Sequence, residues 1–188
     1  MHSQSYLSAL KQRSDVQWLG VLDEVHPCLA RQVATELGIT CVESPSALLE
    51  QAEVVIITSA NVEHRAMAVE AAAAGVHALV EKPIATNLAD AQAIIDAYAV
   101  AGLVLAVAFP CPFSPAFRSL QARCEAGELG DLLAMACTNR GTMPGGFFID
   151  LPRSGGGAVI DHTVHVADLL RRLTNSEPVR VYAEIGHG

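Results

Sequence analysis

Ala78-Leu79-Val80-Glu81-Lys82-Pro83 is a short apolar run that hands over to a charged pair and a proline. It is the middle one of three such runs. Val54-Val55-Ile56-Ile57-Thr58 precedes it and residues 103–109 follow it, each brief, continuously apolar and divided from the next by helix punctuation. Asn61 stands where a cap would open a helix that Gly75 stops, and Asn87 and Gly102 bracket a second helix in the same way. Strands apolar on both faces and alternating with helices pair in parallel, with helices covering the sheet on two sides. The expected fold is therefore α/β, a doubly wound, Rossmann-like parallel sheet.

Upstream, the same reading predicts a strand over 16–22, a helix over 28–37 ended by Gly38 and a short strand over 39–42. Ser44-Pro45 starts a helix, with a capping hydroxyl and a proline at the first helical position, leading into 47–51. Downstream the pattern changes at Cys111-Pro112-Phe113-Ser114-Pro115, which reads as a connector between domains. A helix over 116–126, a strand over 132–138, a long glycine-rich loop over 139–157, a helix over 158–173 and a strand beginning at 179–185 follow. The domains expected are 1–109, binding a dinucleotide, and 110–188, the start of an α+β substrate domain.

Of the 188 residues 51% are hydrophobic but only 5% aromatic, so the interior is built from Ala, Val, Leu and Ile. That apolar fraction points to surface covered by a partner or by missing chain, and a homo-oligomer is expected of the full-length form. A net charge of -8 and a pI near 5.3 argue against nucleic acid or an anionic membrane as partner. The five cysteines have no C-x-x-C spacing, which speaks for reduced, mostly buried thiols in a cytoplasmic protein rather than disulfides or a thiolate metal site. The longest apolar run, 99–109, is half of the roughly 20 residues that a membrane span needs.

The second informative stretch is Gly155-Gly156-Gly157, followed by Asp161, His162, His165 and Asp168. On a helix Asp161, His165 and Asp168 fall at i, i+4 and i+7 and share one face, while His162 points about 100° away from Asp161. A lysine, a histidine and carboxylates converging on one crevice suit hydroxyl-to-carbonyl redox chemistry, in which a proton and a developing alkoxide must be handled together. Bland readings stand beside this one: Lys82 as a solvated lysine at a strand end, His165 as a satisfied helix histidine, Asn61 as a cap and His64 as a surface side chain. A metal held by Asp161, His165 and Asp168 is disfavoured by the positive charge of Lys82 nearby, and no metal is expected.

Taken in order, the Glu81-Lys82-Pro83 strand end, the Thr58-Ser59-Ala60-Asn61-Val62-Glu63-His64 turn, Gly127-Glu128-Leu129-Gly130 and the glycine-led helix with Asp161, His165 and Asp168 resemble the Gfo/Idh/MocA family of NAD(P)-dependent sugar and polyol dehydrogenases. The resemblance runs over nearly the whole chain. It implies hydride transfer between a nicotinamide and a secondary alcohol of a sugar, polyol or related hydroxy compound. It also implies that Lys82 polarises the substrate oxygen, that His165 is the acid/base and that Asp161 holds substrate or orients the imidazole. Thr58, Asn61, His64, Glu81 and Lys82 would line the cofactor, and Phe113, Arg140, Phe147 and Phe148 are candidates for the pocket wall. Proline after Lys82 is a place for a cis bond.

In dinucleotide-binding folds an acidic residue about 20 positions after the glycine loop takes the ribose hydroxyls. Asp23, ending the 16–22 segment, fits that role, and a carboxylate there favours NAD over NADP, whose 2′-phosphate it would repel. Counting back from Asp23 puts the glycine loop upstream of Met1, so the sheet is expected to lack its first strand and the second domain to stop short at Gly188. The competing expectation is a catalytically inactive fragment or a binding module that retains the fold.

Overall fold

The computed structural model describes residues 2–139, 141 and 145–184. The helices are α1 (His2–Leu10), α2 (Pro27–Leu37), α3 (Pro45–Leu49), α4 (His64–Ala73), α5 (Leu88–Ala101), α6 (Pro115–Glu125), α7 (Leu151–Ser154) and α8 (Gly157–Thr174). Three strands, β1 (Val54–Ile57), β2 (His77–Glu81) and β3 (Leu105–Ala108), form a parallel sheet in that order. Ile57 lies opposite Val80, and Glu81 opposite Ala108. α4 and α5 are the crossovers.

Local signals start and stop these elements. Asn87 Oδ1 accepts the Asp90 N–H at 2.9 Å to open α5, and Gly102 closes it in the left-handed conformation. Ser44 Oγ caps α3 through the Ala47 N–H at 3.3 Å. The core forms where β1 and β2 meet α4 and α5: Ile57, Ala68, Ala72, Ala78, Val80, Ile94 and Tyr98. Alanines on α4 let the helix sit close to the sheet, and each fully buried Val or Ile such as Val80 and Ile94 contributes about 1.5–3 kcal/mol. Successive strand residues face opposite ways, so Glu81 projects from the face opposite Val80. Tyr6 of α1 meets it there, its hydroxyl donating to Glu81 Oε1 at 2.7 Å, and helices thus flank the sheet on both sides.

Several expected elements take another form. The segments at 16–22 and 39–42 make one parallel bridge, Val21 to Cys41, and do not join the sheet. The Val21 N–H donates to Thr40 O at 3.0 Å and the Val42 N–H to Val21 O at 2.9 Å, a pairing too short to hold as a ladder of its own. Residues 131–139 and 179–184 are exposed and form no strand, because alternation without a neighbouring strand leaves the backbone to water; Ile185 lies outside the described residues. Asn61 does not cap: a 3-10 turn over Asn61–Glu63 precedes α4, and the Glu63 carboxylate accepts the Ala60 N–H at 3.3 Å. The loop at 139–157 is partly folded, into a 3-10 turn (Gly146–Ile149) and α7. None of the five cysteines is buried, and all are free thiols. Among the described residues no helix is long and apolar enough to cross a membrane.

Candidate active site at the carboxyl edge of the sheet

Parallel strands in register end together. Ile57, Glu81 and Ala108 finish on one edge, and the segments leaving it bring Thr58–Asn61, Lys82–Pro83 and Phe109–Cys111 side by side. In open α/β sheets this carboxyl edge is where ligands sit.

Lys82 is only 6% exposed. Its ammonium pairs with the Asp161 carboxylate and donates to the Asp161 backbone carbonyl at 3.3 Å, which ties β2 to α8 across 79 residues of chain. The Lys82–Pro83 bond is cis. Glu81, also buried, accepts the Lys82 N–H at 3.1 Å in addition to the Tyr6 hydroxyl. Burial and then the hydrogen bond to Glu81 push the Tyr6 pKa up. His64, fully buried at the start of α4, has Nδ1 2.9 Å from Pro83 O and Nε2 3.3 Å from Ser59 O, so one ring spans the exits of β1 and β2. Desolvation lowers its pKa, outweighing the backbone hydrogen bonds and the Glu81 charge that favour the protonated form.

The α8 side is docked by close backbone contacts. Asn61 Nδ2 donates to Ser154 O at 2.8 Å in a buried hydrogen bond. Gly155 has φ +80, and a Cβ there would lie 2.2 Å from Thr86 Cγ2, so only glycine lets α7 turn into α8 against the loop that follows Pro83. One turn beyond Asp161, His165 forms a T-shaped pair with Phe109, ring centroids 6.1 Å apart, and has Nδ1 3.7 Å from Cys111 Sγ. Burial, then the charge of Lys82, lowers the His165 pKa, against the opposing pull of Asp161 and Glu81, which favours the neutral imidazole.

The structure therefore brings Lys82, Glu81, Asn61, His64, Asp161 and His165 to one edge, with Thr58 half-buried at the end of β1. Asp161 turns to Lys82 rather than to the imidazole of His165. Its other oxygen lies 3.1 Å from His162 Nδ1, at an angle that makes no hydrogen bond. Asp168 pairs with Arg172 Nε at 3.0 Å and braces its own helix. Asp23 Oδ1 accepts the Val25 and His26 N–H groups at 3.0 and 2.8 Å, fixing the carboxylate in the turn before α2. Phe147 and Phe148 stack on one another at 4.2 Å and Phe113 lies under Arg118; Arg140 is outside the described residues. Tyr6, Ser154 and Cys111 escaped the sequence reading, since nothing near them in the chain marks their partners. Among the described residues no cluster of three or more His, Cys, Asp or Glu is placed to hold a metal ion.

A family model described as an oxidoreductase family with an NAD-binding Rossmann fold matches residues 1–109, and that of the GFO/IDH/MocA C-terminal domain matches 117–188. The chain belongs to the GFO/IDH/MocA oxidoreductase family. Among curated relatives, the 1,5-anhydro-D-fructose reductase of Ensifer adhaerens is 33% identical over 80% of this chain and 47% of that protein. The scyllo-inositol 2-dehydrogenase (NAD(+)) of Bacillus subtilis is 33% identical over 85% and 46%. An NAD-binding protein from Listeria innocua shares the fold with a TM-score of 0.79 at 25% identity, over 90% of this chain and 51% of that one. The chain thus spans about half the length of the curated relatives it matches.

Proposed function

We propose that the carboxyl edge of this sheet is the reacting end of a nicotinamide-dependent dehydrogenase that interconverts a secondary alcohol of a sugar or polyol with the corresponding ketone. The observation that carries the reading is the buried Lys82–Asp161 pair with His165 one turn further along the same helix. A nicotinamide dinucleotide, when bound, supplies the hydride acceptor or donor. The ammonium of Lys82 stabilises negative charge as it grows on the substrate oxygen. His165 takes the hydroxyl proton in the oxidation direction and returns it in the reduction direction. Asp161 holds the ammonium in place and accepts from a substrate hydroxyl. Sugar and inositol names among the relatives support the substrate class.

For the cofactor, the residues present fit at one point and support a second from within. Asn61, His64 and Glu81 are buried under the strand ends beside Lys82, their polar groups meeting Ser154 O, the Pro83 and Ser59 carbonyls, and the Tyr6 hydroxyl and Lys82 N–H, so they shape the edge where a nicotinamide would lie. Asp23, with one oxygen fixed by two backbone N–H groups, offers a rigid carboxylate to a ribose diol and repels a 2′-phosphate, which favours NAD over NADP. In this reading residues 1–109 hold the cofactor and 110–188 contribute to the substrate side, in a cytoplasmic protein. Exposed apolar side chains at Leu133, Val181 and Tyr182 support self-association into a homo-oligomer.

The test is steady-state kinetics of the whole protein with NAD and a panel of inositols and aldoses, beside NADH binding followed by fluorescence. Lys82→Ala is expected to lower kcat about 10²–10³-fold and His165→Ala about 10²–10⁴-fold, with NADH affinity little changed. Undiminished turnover in either variant removes that residue from the mechanism. NADH binding without turnover of any polyol would instead favour a binding module.

A further inference from the structure

The mechanism above needs a lone pair on one particular nitrogen of His165, and a neutral imidazole has only one to give. The carboxylates that could hold the ring are engaged elsewhere: Asp161 faces Lys82, and Asp168 faces Arg172. What the ring does meet comes from the exit of β3. Phe109 places its ring at 87° to the imidazole, and the Cys111 sulfur lies within hydrogen-bond distance of Nδ1. From these contacts we infer that Cys111 is a positioning residue for His165: Nδ1–H donates to Cys111 Sγ, and Nε2 carries the lone pair presented to the substrate hydroxyl.

The inference rests on the role proposed for His165 and adds which nitrogen works and what fixes it. When the hydroxyl proton passes to Nε2, the ring becomes an imidazolium with an N–H on each nitrogen, and Nδ1–H still points at the sulfur. A thiol is a weak acceptor and carries no charge, so it orients the ring without stabilising the imidazolium as a carboxylate would. The other charged or titratable groups acting on His165 are Lys82 and Glu81 from the exit of β2 and Asp161 and His162 from α8. Lys82 and His162 oppose protonation, while Asp161 and Glu81 favour it, and desolvation exceeds each of them. A neutral orienting partner matches this balance, because it leaves the base poised to release its proton again.

The experiment combines nitrogen-15 NMR of the histidine rings with pH–rate profiles of the whole protein, His165 being assigned by its loss in His165→Gln. The parent is expected to show His165 protonated at Nδ1. Cys111→Ala should move it toward the Nε2–H form and lower kcat about tenfold or more, with KM for NAD unchanged. Cys111→Ser, which keeps an acceptor, should restore both. Cys111→Asp should raise the pH midpoint of kcat by about one unit or more, since a carboxylate favours the charged ring. An Nε2–H ring in the parent, or a Cys111→Ala protein with unchanged tautomer and profile, overturns the positioning role even where His165→Ala is inactive. If His165→Ala itself keeps full turnover, it is the proposed function that fails, and the NMR result then stands as a structural contact alone.

Discussion

Removing the carboxylate of Asp161 isolates a lysine in a site that water barely reaches. The Lys82 side chain is 5% exposed and that of Asp161 13%, so in Asp161→Ala the ammonium keeps only the backbone carbonyl at 3.3 Å and loses its counter-charge. Breaking a buried ion pair from one side costs about 3–5 kcal/mol, because the remaining charge stays desolvated. For a chain of this size each kcal/mol moves the melting temperature about 2–4 °C, which gives a fall of about 6–20 °C. Lys82→Met leaves the more exposed partner of the pair, Asp161, alone, and should cost less. In the double variant no orphaned charge remains, so its loss should be smaller than the sum of the two single losses by about 2 kcal/mol. Thermal and urea unfolding of the four proteins supply the cycle. A loss below about 0.5 kcal/mol in Asp161→Ala, or single effects that simply add, would show that the two groups do not depend on one another and would refute the argument.

Gly155→Ala should destabilise by about 2–5 kcal/mol, the sum of a left-handed backbone penalty and a collision of the new Cβ with Thr86. Thr86→Gly should relieve the collision, whereas Thr86→Ala should not, since the Thr86 Cβ itself stands 2.5 Å from the new atom; equal rescue by both, read in urea unfolding, would contradict the geometry. The pKa of His64 is lowered in the folded protein, so the unfolded chain binds the extra proton first and stability falls as pH drops through about 6.5 toward the folded value. His64→Gln should flatten that part of a melting-temperature profile, and an unchanged slope would mean that the ring is not held neutral by burial. Asp23→Ala should narrow the gap in kcat/KM between NAD and NADP, and a parent that already prefers NADP would reverse the proposed cofactor assignment.

Much of this protein is written locally. The helix limits at Gly38, Asn87 and Gly102 were legible because each depends on a side chain or a φ angle within four residues of the boundary. The parallel sheet was legible because strands that are apolar on both faces have no polar positions to alternate with. Spacing alone put Asp161, His165 and Asp168 on one face of α8, and register then carried Lys82 to the same edge. The misread segments at 16–22, 132–138 and 179–184 share a cause: strand propensity reports that a stretch can be extended, but a ladder requires a partner, which propensity does not name.

Contacts between distant segments belong to the tertiary structure. Asn61 reads as a helix cap from its neighbours, yet its amide serves Ser154, 93 residues away. Tyr6 carries no signal of Glu81, nor Cys111 of His165. Asp161 had Lys82, His162 and His165 within plausible reach, and the packing of α8 against the exit of β2, where only glycine fits at 155 beside Thr86, brings it to the lysine. Helix periodicity says which side chains stand together on one element. Which of them meets a group on another element depends on how the two elements pack, and that packing is fixed by side-chain volumes scattered along the whole chain.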